Sequence, residues 1–284
     1  MEKILISIVL GTYNRLKFLK LTIKSIRKEF LFSNIEYEII VIDGGSTDGT
    51  IRWLTKQKDI ITIIQHNRGK WLNKDIEFKS WGYFINLGFK ISQGKYICML
   101  SDDCLVVPGA IVNGYKLFED KLSKEVKLGG VAFYWRNWPE YNKYWVGLAL
   151  GNKIFINYGI FLKKAIEDAG FIDEENFRFY HADGDLCLKI WQKGYEIIDS
   201  PNSYIEHCSH LNLKIRKKNN EKQKKDLENY LKKWEGIFYD PIKNNTGGCI
   251  EKEYIDSKKT YKKFGIIGKK IIFYNYLKKL IKKN

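Results

Sequence analysis

The chain has 284 residues, a formal net charge of +16, 15% aromatic residues and five cysteines. That length buries a substantial core and fits one large domain or two closely joined ones. No stretch approaches the roughly 18 apolar residues of a membrane span, and an odd set of widely spaced cysteines without a CxxC pair indicates neither a disulfide framework nor a zinc ribbon. The cysteines read as reduced thiols of a cytosolic protein, and no signal peptide is expected, because the first ten residues run straight into a strand and a polar turn. Eight Trp and eighteen Tyr exceed ordinary core needs and suit a site that stacks on flat ligands.

In chain order, Ile4 to Leu10 is an apolar, β-branched run with the character of a strand buried on both faces. Gly11-Thr12-Tyr13-Asn14-Arg15 makes a polar turn, and Leu19, Ile23 and Ile26 in Leu16 to Phe30 fall near helical spacing. The loop sits at the carboxyl end of its strand, where Thr12 and Asn14 can hydrogen-bond a base or ribose and Tyr13 can stack. The competing reading is a helix start with incidental polar residues. A second unit follows: strand Glu38 to Ile42, the turn Asp43-Gly44-Gly45-Ser46-Thr47-Asp48-Gly49-Thr50, and a helix through Ile51 and Leu54. Gly44 and Gly45 permit a sharp turn close to a ligand, and Ser46, Thr47 or Asp48 can cap the helix. Asp43, at the strand tip, has no obvious capping role and is expected to contact a nucleotide or shape the turn.

Ile60 to Gln65 is a third strand, and Asn67 to Glu77 a polar loop in which Arg68, Lys70 and Lys74 can meet phosphate. The spacing predicts a helix over Trp81 to Ser92 and a short strand from Tyr96 to Leu100, which stops at the adjacent carboxylates Asp102 and Asp103. Alternating strands and helices predict a parallel sheet, whose ligands bind beyond the carboxyl ends of the strands. Asp102 and Asp103 therefore stand where a diphosphate and a divalent metal would be held, although capping or turn formation is also open to them. Neither GxGxxG nor a P-loop occurs in this half, so a nucleotide would be held by strand-tip side chains and a metal.

Residues 129–151 are crowded with aromatics; in a cleft, rings such as Trp135 and Trp138 would stack on the sugar faces of an acceptor, and the other rings would belong to the core. Asp173-Glu174-Glu175 reads as a solvated turn. Asp183 and Asp185 open a predicted helix, where acids suit the positive end of the dipole. A strand over Tyr195 to Ile198 precedes Ser203 to His210, in which His207 is either a metal or diphosphate contact or a satisfied structural histidine. Zinc is disfavoured for want of a second ligand pair. Lys214 to Trp234 is charged and expected to be helical. After Asp256 there are ten lysines and no acid, so much of the excess charge lies in this extension.

Thr12-Tyr13-Asn14-Arg15, Val41 to Thr50, Asn86-Leu-Gly88 before Gly94-Lys-Tyr-Ile97, Leu100-Ser-Asp102-Asp103, Gly170-Phe-Ile-Asp173 and Asp183-Gly-Asp185 to Lys189 with Gly194-Tyr195 occur in one order. In this the chain resembles the inverting glycosyltransferases of family 2, over roughly residues 4 to 210. The resemblance implies an α/β GT-A fold with a mostly parallel central sheet flanked by helices. It divides the chain into a GT-A domain at 1–210, with a nucleotide-sugar half at 1–104 and an acceptor half at 105–210, and a basic helical extension at 211–284. It implies that Thr12, Tyr13 and Asp43 bind the nucleoside, that Asn14, Arg15, Gly44 and Asn86 belong to the nucleotide-sugar site, and that Asp102 lies near the ribose or donor sugar. Asp103 would hold Mn2+ or Mg2+, and Asp183 would be the general base. Ser101 stands where many members carry the first acid of the motif, and Ala182 where a glutamate is common.

The expected donor is a nucleoside diphosphate sugar, UDP- before dTDP- or GDP-, and the acceptor a saccharide or lipid-linked saccharide, as in assembly of bacterial surface polysaccharide. The basic end suggests peripheral contact with the inner, anionic face of the cytoplasmic membrane, against a solvated basic tail. The rivals are a nucleotidyltransferase, for which Gly11 to Arg15 is a poor phosphate loop, and a non-catalytic polyanion-binding module. Nucleic acid is not the expected partner.

Overall fold

The computed structural model describes residues 4–137, 143–208, 213–243 and 245–253. The first half alternates as its periodicity requires: β1 (Ile6–Thr12), α1 (Leu16–Phe30), β2 (Tyr37–Asp43), α2 (Thr50–Leu54) and β3 (Ile60–Ile64). The polar segment after β3 carries only a two-residue pair, β4 (Lys70–Trp71) with β5 (Lys74–Asp75). Then come α3 (Trp81–Ile91), β6 (Tyr96–Met99), β7 (Cys104–Val106), α4 (Ala110–Ser123), β8 (Leu128–Asn137), β9 (Tyr144–Leu148), β10 (Gly159–Leu162) and α5 (Lys163–Asp168). The chain continues with α6 (Ala182–Gln192), β11 (Glu196–His207), α7 (Leu213–Trp234) and β12 (Gly248–Lys252).

Nine of these strands and the short β7 form one sheet, in the order β12-β9-β8-β10-β6-β1-β2-β3 with β11 paired to β8 and β7. The β6-β1-β2-β3 part is parallel throughout. β10 runs antiparallel to both of its neighbours, β6 and β8, so those two point the same way, and β11 is parallel to β8. Thus β1, β2, β6, β8 and β11 all end on one edge of the sheet. The parallel character expected for the whole sheet belongs to its first half; β7, β9, β10 and β12 pair antiparallel.

Alternation along the strands splits the core. Ile6, Ile8 and Leu10 of β1 pack with Leu19, Ile23, Ile26 and Phe30 of α1, while Val9 faces the other layer with Phe84, Ile85 and Phe89 of α3. Gly88 lets α3 lie close on the sheet: a Cβ there would meet Val9 Cγ1 at 2.4 Å and Ile42 Cδ1 at 2.8 Å. The strand expected at Tyr195 to Ile198 runs on to His207, because the chain resumes pairing with β8 after an irregularity between Ser200 and Tyr204. At that end Arg136 donates to both oxygens of Glu206, at 2.7 and 2.6 Å, and Tyr144 Oη donates to Glu206 at 2.6 Å, all fully buried.

Described residues beyond 210 pack on those before it. Tyr230 and Trp234 of α7 join the core, and β12 pairs with β9 over five residues. Among the described residues no helix is long and apolar enough to cross a membrane. The lysine-rich end, 254–284, and with it the expected membrane contact, lies outside the described residues.

Glu206→Ala removes the buried carboxylate to which Arg136 and Tyr144 both donate and should cost about 3–5 kcal/mol. A lowered urea midpoint shows it, with recovery in the double variant Arg136→Met, Glu206→Leu. A single variant as stable as the parent contradicts this account of the buried pair.

Candidate active site

The strand ends meet at a cleft of about 730 Å³, within the range of small-molecule sites. Its floor is the acidic pair after β6. Thr12 Oγ1 donates to Asp102 Oδ2 at 2.7 Å, and Arg15 Nη1 lies between the acids, 3.0 Å from Asp102 Oδ1 and 2.6 Å from Asp103 Oδ2. Ser101 Oγ donates to Asp103 Oδ1 at 2.6 Å. His207, at the end of β11, places Nε2 3.3 Å from Asp103 Oδ1, while its Nδ1 is 2.8 Å from Asn137 Oδ1 at the end of β8. A donor Nδ1–H to that amide oxygen leaves Nε2 as the nitrogen facing the acid.

Both acids are buried, and their carboxyls separate electrostatically. Burial pushes Asp102 up to about 6 against the Arg15 charge. Burial also raises Asp103, but His207 and Arg15 outweigh it and hold this carboxyl below the usual range. The Arg15 guanidinium, opposed by its own burial, is kept more firmly charged by the two carboxylates. Two like charges this close need such a partner.

At the end of β2, Asp43 Oδ1 accepts from the amides of Gly45 and Ser46 at 2.8 and 2.7 Å, so it holds the turn after all. Its other oxygen is buried without a protein partner, as a group awaiting a ligand donor would be. Gly44 lines the cleft beside Tyr13. One face of the Tyr13 ring is covered by the Arg68 guanidinium, 4.0 Å from its centroid.

Two residues expected in the nucleotide site are committed elsewhere. Asn86 is buried in α3, its amide donating to Ile172 O and Glu174 Oε2 and accepting from Ile172 N, so it pins the 172–174 turn and does not line the cleft. Asn14 Oδ1 accepts from Thr47 N at 2.7 Å, tying the β1 and β2 loops together, and the residue lines a smaller cavity with Arg15 and Asp103 rather than the main cleft. The supposed solvated turn at Asp173 is therefore a docking point, since Asp173 also accepts from Lys233 at 2.9 Å.

On the opposite side Asp183 opens α6. Its Oδ2 accepts from Asn157 Nδ2 at 2.7 Å and its Oδ1 from Gly184 N at 2.9 Å, and burial raises its carboxyl above the ordinary aspartate value. Asp185, two residues on, points into the interior and accepts from Trp234 Nε1 and Lys233. Trp135 lines the cleft, but it is buried and packed on Trp145 with centroids 3.8 Å apart, so only a small part of its surface can meet an acceptor. Trp138 lies outside the described residues. Asn157, Arg178, His181 and Tyr230 also line this side and were not singled out by sequence. Only helical spacing within the charged 213–234 stretch could have flagged Tyr230.

The residues fit a divalent cation in part. A carboxylate oxygen and an imidazole nitrogen converge at Asp103 and His207, and such ions are commonly held by one or two protein ligands plus substrate phosphates. No group of three or more ligating side chains occurs among the described residues.

Residues 7–170 match the sequence model of Glycosyl transferase family 2. The chain belongs to this family. It is 26% identical to the uncharacterized protein y4gI of Sinorhizobium fredii (strain NBRC 101917 / NGR234), the match covering 72% of this chain and 24% of that protein. Among solved structures, S. aureus TarS residues 1–349 superposes with a TM-score of 0.56 at 15% identity, covering 72% of this chain and 60% of that one. Mannosyltransferase PcManGT from Pyrobaculum calidifontis, in complex with GDP-Man and Mn2+, gives 0.53 at 18%, covering 73% and 58%. TarS 1–349 in complex with UDP-GlcNAc gives 0.52 at 17%, covering 74% and 62%. These similarities establish the GT-A fold. The chain spans about a quarter of the curated relative and about 60% of these solved chains.

Asn157 favours the ionised form of Asp183. Asn157→Leu should move the titration of the Asp183 carboxyl carbon, followed by 13C NMR, to higher pH; an unmoved midpoint contradicts the assigned hydrogen bond.

Proposed function

We propose that this family 2 chain is an inverting glycosyltransferase that moves a sugar from a nucleoside diphosphate donor to a hydroxyl of a saccharide or lipid-linked saccharide. The observation that carries the reading is the pair of unlike carboxylate sites in one cleft: Asp102 and Asp103 braced by Arg15 on one side, and the partly buried, single Asp183 on the other. Thr12, Tyr13, Gly44 and the unpartnered oxygen of Asp43 stand at the strand tips where the nucleoside would lie. The complexes of PcManGT with GDP-Man and of TarS with UDP-GlcNAc favour a nucleotide-sugar donor for this chain.

Asp183 takes the acceptor hydroxyl proton as that oxygen bonds to the anomeric carbon. The bond from that carbon to the diphosphate breaks on the opposite face, and its electron pair leaves with the nucleoside diphosphate. A carboxyl with a raised pKa is a stronger base than an ordinary aspartate, and a positioned base contributes about 10²- to 10⁴-fold in rate. Asp103 and His207 would hold Mn2+ or Mg2+, which supplies positive charge against the leaving diphosphate. Arg15 keeps the two acids in place, and Arg68 stands beside the nucleoside position to meet phosphate. A role in surface polysaccharide assembly, with the lysine-rich end against an anionic membrane face, is part of the same reading.

The test is binding and slow hydrolysis of UDP-, GDP- and dTDP-sugars with Mn2+ or Mg2+. One donor should be bound and hydrolysed. Asp103→Ala should lose metal-dependent donor binding, and Asp183→Asn should keep it and lose about 10²-fold or more of turnover. Because the base must be ionised, turnover should fall with decreasing pH along a limb lying above the ordinary aspartate pKa of about 3.9. Failure of every donor to bind overturns the reading.

A further inference from the structure

Helix α7 lies beyond the 7–170 segment that matches the family, in a stretch whose composition reads as a solvated basic helix. Three of its residues nevertheless turn inward, Asp226, Tyr230 and Trp234, at i, i+4 and i+8 on one face of the helix, and the more exposed Lys233 at i+7 reaches back from the same face. Each grips the segment that carries Asp183. The Asp226 carboxylate, 1% exposed, accepts from three consecutive backbone amides, Arg178 at 3.0 Å and Phe179 and Tyr180 at 2.9 Å. Tyr230 stacks on His181, with ring centroids 5.0 Å apart and planes 19° apart, and its hydroxyl would be 3.0 Å from a Cβ at Gly184. Lys233 and Trp234 hold Asp185, at 3.0 and 2.9 Å.

The grip falls on both sides of Asp183. Residues 178–181 carry no regular structure before α6, and His181 reaches the start of the helix at a φ of +62°, a conformation uncommon outside glycine. Such a segment needs outside partners to keep one shape; the Trp81 amide of α3 donates to Arg178 O at 3.1 Å and its ring packs on the Phe179 ring, and α7 supplies the Asp226 carboxylate and the Tyr230 ring.

We propose that α7 is a clamp that positions Asp183, and that Asp226 is its principal positioning residue. The proposal rests on Asp183 being the base. Asp226 touches neither donor nor acceptor in this account; it acts by fixing the path of 178–181, so that the carboxylate of Asp183 meets the acceptor hydroxyl in line with the bond that breaks. Misplacing a catalytic group by about 1 Å costs roughly 10²-fold.

The experiment compares the full-length native chain with Asp226→Asn, Tyr230→Leu and Asp183→Asn, with nucleotide release from the UDP-, GDP- and dTDP-sugar panel as the readout. A carboxamide in place of the Asp226 carboxylate has one acceptor oxygen and cannot serve three amides. Asp226→Asn should retain donor Kd within about twofold, lose about 10- to 100-fold in kcat, and exchange the 178–180 amides faster with deuterium. Tyr230→Leu, which leaves the carboxylate in place, should show the same split between Kd and kcat. Faster exchange with native kcat overturns the clamp, as does a kcat loss no larger than the loss of donor-binding sites. If Asp183→Asn turns over like the native chain, the assignment of the base falls and the clamp falls with it. Loss in Asp183→Asn with native kcat in both α7 variants overturns the clamp alone.

Discussion

Two adjacent carboxylates buried at the end of a strand are costly, and much of the site can be traced to how that cost is met. Asp102 and Asp103 share the Arg15 guanidinium, and the remaining oxygens go to Thr12, Ser101 and His207. Removing one member of such a set leaves a buried charge without its partner, which is more expensive than never burying it. The network therefore does more than hold two acids. It joins the loop after β1, the loop after β6 and the end of β11, with Asn137 of β8 one bond further on.

The strand order makes this possible. β10 reverses between β6 and β8, so the second half of the sheet delivers its carboxyl ends to the same edge as the first. His207 comes to Asp103 from far along the chain because β11 runs parallel to β8 and pairs residue 207 with 137. Across the cleft Asp183 accepts from a neutral amide side chain, Asn157, and from a backbone amide, and burial leaves its carboxyl basic. In the proposed function these opposite environments would suit one side to an anionic diphosphate and the other to taking a proton.

The parallel half was legible because each strand is an unbroken apolar run that ends in a polar turn, and Leu16–Phe30 and Tyr96–Met99 lie where periodicity put them. Asp102, Asp103 and Asp183 were singled out by motif and position, and the fold brings all three to one cleft. Asn86 and Asn14 are hard to read from sequence because an asparagine serves a turn and a ligand equally well; in the fold Asn86 meets Ile172 and Asn14 meets Thr47. Trp135 was read from aromatic density, which does not distinguish a platform from a ring packed on Trp145. The role of 226–252 was hidden by charge: lysines dominate the composition of α7, and three buried residues, Asp226, Tyr230 and Trp234, carry its packing. Asn157 carried no signal at all, since its task exists only once the segment before β10 is folded beside α6.

The central claim is that donor diphosphate and metal sit against Asp103 and His207 while Asp183 faces the sugar from the other side. Crystals grown with Mn2+ and the bound donor, measured at the manganese edge, test it directly. The account predicts one anomalous peak at bonding distance from Asp103, with the nucleoside over the ends of β1 and β2 and the anomeric carbon turned toward Asp183. A peak away from Asp103, or a nucleotide lying outside this cleft, would contradict it.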